Sequence, residues 1–181
     1  LCTSGSTPLH APDVLILQDA SLSLTTSGMW TQMVTAVEQV TGMYEGQLAF
    51  GLSVFPAGGQ LSCSAGALDI PFGLKNAAAI KAELDATSAG GLTPTPDSLR
   101  AAHTFMGART AHNPAYIILL TDGEPDCTGA SGNSDASADM VAEVKALFAD
   151  HIHTFAVGPS NTSASALLDQ VSRRTTSPAV K

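Results

Sequence analysis

The chain has 181 residues, of which 44% are apolar and 13% charged, and its net charge is −8 at pH 7. That length and apolar share suit one domain with a buried core and exclude a disordered chain. Only 8 Lys plus Arg stand against 16 Asp plus Glu, too few for a basic stripe, so a nucleic-acid partner is excluded.

Residues 1–11 begin with a Ser- and Gly-rich stretch and read as a tether, followed by one domain over residues 12–181. The chain opens on Leu1 rather than Met, so trimming from a longer precursor is expected. Cys2 would then suit a lipid-anchored mature end. Val14–Leu17 is a continuous apolar run, as in a strand buried on both faces. Met29, Trp30, Met33, Val34, Val37 and Val40 recur at helical spacing up to Gly42, which should end that helix. A second strand is expected over 48–55, a turn at 56–59 and a weaker strand over 66–72. Residues 75–88 read as a helix with Ala79, Ile80 and Leu84 on one face. Thr95 as N-cap and Pro96 at the first helical position open another, reaching Met106. A strand over 116–120, a loop over 129–134, a helix over 137–150, a strand over 152–157 and a helix over 163–174 complete the chain.

Strands alternating with helices imply an α/β fold. It should be a Rossmann-like, doubly wound and mainly parallel central sheet flanked by helices, with right-handed crossovers. No apolar run approaches the roughly 18–20 residues that a membrane span requires.

Cys2, Cys63 and Cys127 show no C-x-x-C spacing, so zinc is not expected. One disulfide plus an odd cysteine suits an extracytoplasmic (secreted or cell-surface) protein, and three free thiols a cytosolic one. Cys63 and Cys127 are the preferred pair, because both lie in loop-like sequence beside strand ends. Closing that loop would stabilise the fold by about 4 kcal/mol in the chain-entropy account.

Three separated segments offer hard oxygen donors: Asp19-Ala20-Ser21-Leu22-Ser23, Thr93 within Gly90–Thr95, and Asp122 within Leu119–Glu124. In open parallel sheets, ligands bind outside the carboxyl ends of the strands, where strand order reverses. Asp19 and Asp122 each closely follow an apolar run, so parallel neighbouring strands would bring both carboxylates to one sheet edge. Hydroxyls with water-bridged carboxylates suit Mg²⁺ or Mn²⁺.

The Asp19–Ser23 stretch resembles the D-x-S-x-S signature of the von Willebrand factor type A domain family. Thr93 and Thr121-Asp122-Gly123-Glu124 are similar to the other two parts of that family's metal-ion-dependent adhesion site. The likeness runs from Pro12 to Ser172. It implies that Ser21 and Ser23 contact the metal directly, that Asp19 acts largely through water, and that Thr93 and Asp122 join directly or through water. It further implies cation-dependent binding of a protein or surface ligand that offers a carboxylate, in adhesion or assembly, without catalysis. Leu22 departs from the small residue common at its position, so a scaffold with a weak or vestigial site is the alternative. The stretches 55–63 and 125–127 are similar to secreted bacterial members.

Local roles compete for several residues. Ser21 or Ser23 could cap a helix near Gly28. Glu124 and Asp126 could be a solvated acidic loop or add negative character around the site. Asp135–Asp139 repeats the first motif, but it precedes a helix and reads as a cap. His151 and His153 share a strand face at zinc-compatible spacing without a third ligand. Asn161-Thr162-Ser163 is an N-glycosylation sequon. A phosphoryl-transfer enzyme with Asp19 as nucleophile would want a second carboxylate and a strand-end Lys, where Ser21 and Gly158 stand. The chain has no G-x-S-x-G, Gly-Lys or Gly-x-Gly sequence.

Overall fold

The computed structural model describes residues 11–58, 62–107, 109, 113–123, 125–127, 136–158 and 165–174. Strand β1 (Asp13–Asp19) is buried at every position, as its apolar run requires. It pairs in parallel with β2 (Ala49–Phe55) on one side and β4 (Ala115–Leu120) on the other, with Asp19 opposite Phe55 and Gln18 opposite Leu120. Strand β3 (Ile70–Gly73) joins β2 antiparallel, and β5 (Ile152–Val157) joins β4 parallel. The sheet order is therefore β3-β2-β1-β4-β5.

Alternate side chains of β1 feed two cores. Leu15 and Leu17 pack with Leu99 and Met106 of α4 (Thr95–Gly107), Val144 and Leu147 of α5 (Ser137–Ala149) and Val171 of α6 (Ser165–Arg174). On the other face, Val14 and Ile16 meet Leu24 of α1 (Leu22–Thr26), Met33 and Val37 of α2 (Met29–Tyr44), and Ile80 and Leu84 of α3 (Ala77–Ala86). This is the doubly wound α/β sheet expected. The chain leaves β1 towards one face and β4 towards the other, so a crevice opens outside the carboxyl ends of these two neighbours.

Several expectations are corrected. Helix α2 runs through Gly42 to Tyr44. A Cβ at Gly42 would meet nothing within 4 Å, so the glycine lies on an open face and costs about 1 kcal/mol without ending the helix. The weaker strand shrinks to Ile70–Gly73. Ahead of it, the Asp69 amide donates to the Leu52 carbonyl at 2.9 Å, and its carboxylate accepts the Val54 amide at 2.8 Å. In α3, Ile80 and Leu84 are buried but Ala79 is exposed. Thr95 is the first helical residue rather than the N-cap. The Ser98 amide that its hydroxyl would accept instead bonds the Pro94 carbonyl at 3.0 Å. Residues 1–10 of the tether, with Cys2, the 129–134 loop, Glu124 and the sequon lie outside the described residues. Among those described, no helix is long and apolar enough to cross a membrane.

An ion pair closes the edge of the sheet opposite the crevice. Asp13 is fully buried, and its carboxylate accepts two bonds from the Arg109 guanidinium and one from Asn113, each at 2.8 Å. Arg109 also lies over the Phe72 ring, 4.8 Å from its centroid. Bonding to Asp13 is the leading cause that raises the Arg109 pKa. Removing one partner of a buried pair strands the other charge. Arg109→Met is therefore expected to cost about 3 kcal/mol, the low end for such pairs because the guanidinium is partly exposed. Urea unfolding should place the Asp13→Asn, Arg109→Met double variant nearer wild type than Arg109→Met alone. A single variant as stable as wild type would show that the pair holds nothing.

Candidate metal centre

At the crevice, β1 ends on Asp19, which is fully buried. One carboxylate oxygen accepts the Ser21 amide at 2.7 Å and the other the Thr121 hydroxyl at 2.6 Å. The Ser21 and Ser23 hydroxyls lie 3.0 Å apart, and the Ser23 hydroxyl donates to Asp122 at 2.8 Å. Asp19, Ser21, Ser23 and Asp122 thus form one connected set of oxygens, although Ser23 and Asp122 are 99 residues apart. Ser21 occupies the N-cap position of α1, but its side chain makes no capping bond, so the local reading does not account for its hydroxyl.

Thr93 arrives by a different route. Its loop is tied to the first motif by two backbone bonds, Gly90 to the Ala20 carbonyl at 2.6 Å and Leu22 to the Gly91 carbonyl at 3.1 Å. The Thr93 amide donates to Asp126 at 2.6 Å. Thr93 is buried, yet among the described residues no hydrogen bond joins its hydroxyl to the other four donors. Leu22 is half-exposed at the rim rather than folded into the core.

The electrostatics favour a cation. Burial pushes the Asp19 carboxyl up to about 7, against the lowering effect of the bonds from Thr121 and Ser21, and the Asp122 charge raises it further. Among the described residues no Lys, Arg or His pairs with Asp19 or Asp122. Two adjacent carboxylates withdrawn from water without a counter-charge are costly, and a hard divalent ion among hydroxyls removes that cost. The residues present therefore fit Mg²⁺ or Mn²⁺ by charge and donor type.

The von Willebrand factor type A domain model matches residues 13–180. The chain belongs to that family. No curated protein sequence matches it. Among solved structures, it is similar to the pilus adhesin SpaC from Lactobacillus rhamnosus GG in its open conformation. The TM-score there is 0.74 at 17% identity, covering 95% of this chain and 27% of that one. It is also similar to proximal thread matrix protein 1 from the mussel byssus, with TM-score 0.66 at 19% identity over 90% of this chain and 41% of that one. Manganese-loaded TRAP protein from Plasmodium vivax gives 0.65 at 14% identity, over 94% of this chain and 65% of that one. The chain thus spans less than half the length of the first two.

Other features of this von Willebrand A domain narrow the chemistry. A Cβ at Gly158 would collide with the Thr121 carbonyl and lie 2.6 Å from Leu168, so the Lys that phosphoryl transfer would want has no room there. His153 packs against Phe148 and Tyr116, and His151 is exposed beside it at the start of β5, the sheet edge away from Asp19. Among the described residues, no three His, Cys, Asp or Glu side chains gather as a metal group. Cys63 and Cys127 form the preferred disulfide. Two roles escaped the sequence reading. Thr121 stood in the quoted motif without a task, and it holds Asp19. Asp126 left two readings open, and it holds the Thr93 backbone.

Proposed function

We propose that this von Willebrand A domain binds a protein or surface ligand through Mg²⁺ or Mn²⁺, in adhesion or assembly, and that it is not an enzyme. The observation that carries the reading is the connected set of Asp19, Ser21, Ser23 and Asp122 oxygens, with two carboxylates lacking a counter-charge among the described residues. Ser21, Ser23, Thr93 and Asp122 would hold the cation, and Asp19 would act on it largely through water while orienting the Ser21 and Thr121 groups. The bound ion supplies an electrophilic position that accepts a carboxylate from the ligand. The pilus adhesin and the manganese-loaded protein among its structural neighbours are in keeping with this reading. The Cys63–Cys127 disulfide supports an extracytoplasmic setting. A tether over residues 1–11, with lipid anchoring through Cys2, and a binding domain over residues 12–181 complete the proposal.

The test is thermal unfolding after EDTA treatment, with and without millimolar Mg²⁺ or Mn²⁺. A ligand that binds only the folded state raises the midpoint. No rise with either ion would leave a scaffold with a vestigial site as the better account.

The effect should depend on pH. In the folded chain without cation, burial pushes the Asp19 carboxyl up to about 7, above its ordinary value of 3.8. Between those values the folded state holds more protons than the unfolded one. This group therefore contributes stability at low pH that is lost as pH rises through about 7. A cation competes with that proton, so its apparent affinity should be about tenfold higher at pH 8 than at pH 6, with close to one proton released on binding at pH 6 and almost none at pH 8. Calorimetric titration in buffers of different ionisation enthalpy reads both. An affinity flat over that range would mean that Asp19 does not exchange a proton when the cation binds.

A further inference from the structure

The loop that presents Thr93 is held from outside the metal motifs, at two consecutive amides. The Leu92 amide donates to the Ser62 carbonyl at 3.1 Å, and the Thr93 amide donates to the Asp126 carboxylate at 2.6 Å. Ser62 and Asp126 are the immediate neighbours of Cys63 and Cys127, the two halves of the disulfide. One covalent bond thus joins the two segments that grip the Thr93 backbone. The Ser62 segment is braced in turn, since the Ser62 hydroxyl bonds the Ala57 carbonyl and the Ala57 amide donates to the Ser64 carbonyl at 3.0 Å.

We infer that Asp126 is a positioning residue for Thr93, and that the Cys63–Cys127 disulfide keeps Asp126 in place. The inference rests on the proposed cation site and says why Thr93 stands ready there. Unlike Ser21 and Ser23, Thr93 makes no side-chain bond to the donor set among the described residues, so the placement of its hydroxyl depends on its backbone. A carboxylate accepting a backbone amide forms a charge-assisted bond, stronger than a neutral one. Asp126 is itself exposed, so it would contribute little if its segment were free to swing into water. The disulfide removes that freedom. Groups that orient metal ligands in this way commonly change metal affinity by about 10–100-fold when removed.

The test uses the full chain in four forms: wild type, Asp126→Ala, Asp126→Asn, and Cys63→Ala with Cys127→Ala. Mn²⁺ affinity is read from the electron paramagnetic resonance signal of the free ion. Amide hydrogen exchange is read without metal. Asp126→Ala should weaken Mn²⁺ binding about tenfold and speed exchange at Thr93, leaving the β1 and β4 amides as slow as in wild type. Asp126→Asn keeps an acceptor oxygen and should retain most of the affinity. The double cysteine variant should loosen both the Leu92 and Thr93 amides and weaken Mn²⁺ as Asp126→Ala does. If wild type binds Mn²⁺ and Asp126→Ala binds it equally well, the positioning role fails while the cation reading stands. If affinity drops but Thr93 exchange is unchanged, Asp126 acts through its charge alone and the positioning role is overturned. If wild type binds no Mn²⁺, the cation reading fails, and exchange at Thr93 in Asp126→Ala still decides whether Asp126 holds that backbone.

Discussion

Asp122→Ala is expected to erase the rise in unfolding midpoint that the proposed site would give the wild-type domain in millimolar Mg²⁺ or Mn²⁺, and with it all cation-dependent ligand capture. At a hundredfold excess over its dissociation constant, a cation specific for the folded state stabilises by about 2.7 kcal/mol, which for a domain of this size is roughly 5–10 °C. Asp122 is the informative position because it has little other structural work. It is 7% exposed, and its one hydrogen bond within the site is accepted from the Ser23 hydroxyl. Its loss leaves that exposed serine free to bond water and relieves repulsion on Asp19, so the metal-free variant should unfold no earlier than wild type. Asp19→Ala is a poorer probe, because it strands the Thr121 hydroxyl and Ser21 amide in a buried place and confounds folding with binding. A midpoint in Asp122→Ala that still climbs with Mg²⁺ or Mn²⁺ would put the cation somewhere else.

Replacing Cys63 and Cys127 by alanine should lower the free energy of unfolding by about 4 kcal/mol, the largest stability effect expected for this domain. The bond closes a loop across 64 positions, and in the chain-entropy account its main action is to restrict the unfolded chain. Cys127 is fully buried in the folded state, so alanine there also loses some packing. Urea unfolding of the variant beside the oxidised wild type measures the difference. A loss below about 1 kcal/mol would mean that unfolded-state structure already supplies the constraint. The same variant also enters the Thr93 test, so its metal-free stability has to be known before its Mn²⁺ affinity is read.

Much of the fold was legible because burial leaves a direct trace in composition. A strand covered on both faces must be apolar at successive positions, and Val14–Leu17 and Tyr116–Leu120 could hardly be anything else. Helices announced themselves where an apolar stripe had length, as from Met29 to Val40. Short or irregular pieces left no such trace. Helix α1 has five residues, too few for a periodic pattern, and it arises because Asp19 and the Gly91 carbonyl fix the backbone at Ser21 and Leu22. Thr95 misled because a Thr-Pro pair suits an N-cap. In the fold the preceding Pro94 carbonyl takes the Ser98 amide instead.

The amino-acid order sets the chemistry on offer: hard oxygens in three segments, an acidic surplus, buried strands ending at Asp19 and just before Asp122, and a cysteine pair in loops. Which of those groups meet is settled by the packing of the folded chain. A hydrogen bond between Ser23 and Asp122 depends on β1 and β4 being parallel neighbours, and the grip of Asp126 on Thr93 depends on three loops converging. Neither leaves a periodic or compositional signal, because the partners are held by contacts between residues far apart in the chain. Local propensity reads a residue's neighbours in sequence, whereas a site is made by its neighbours in space.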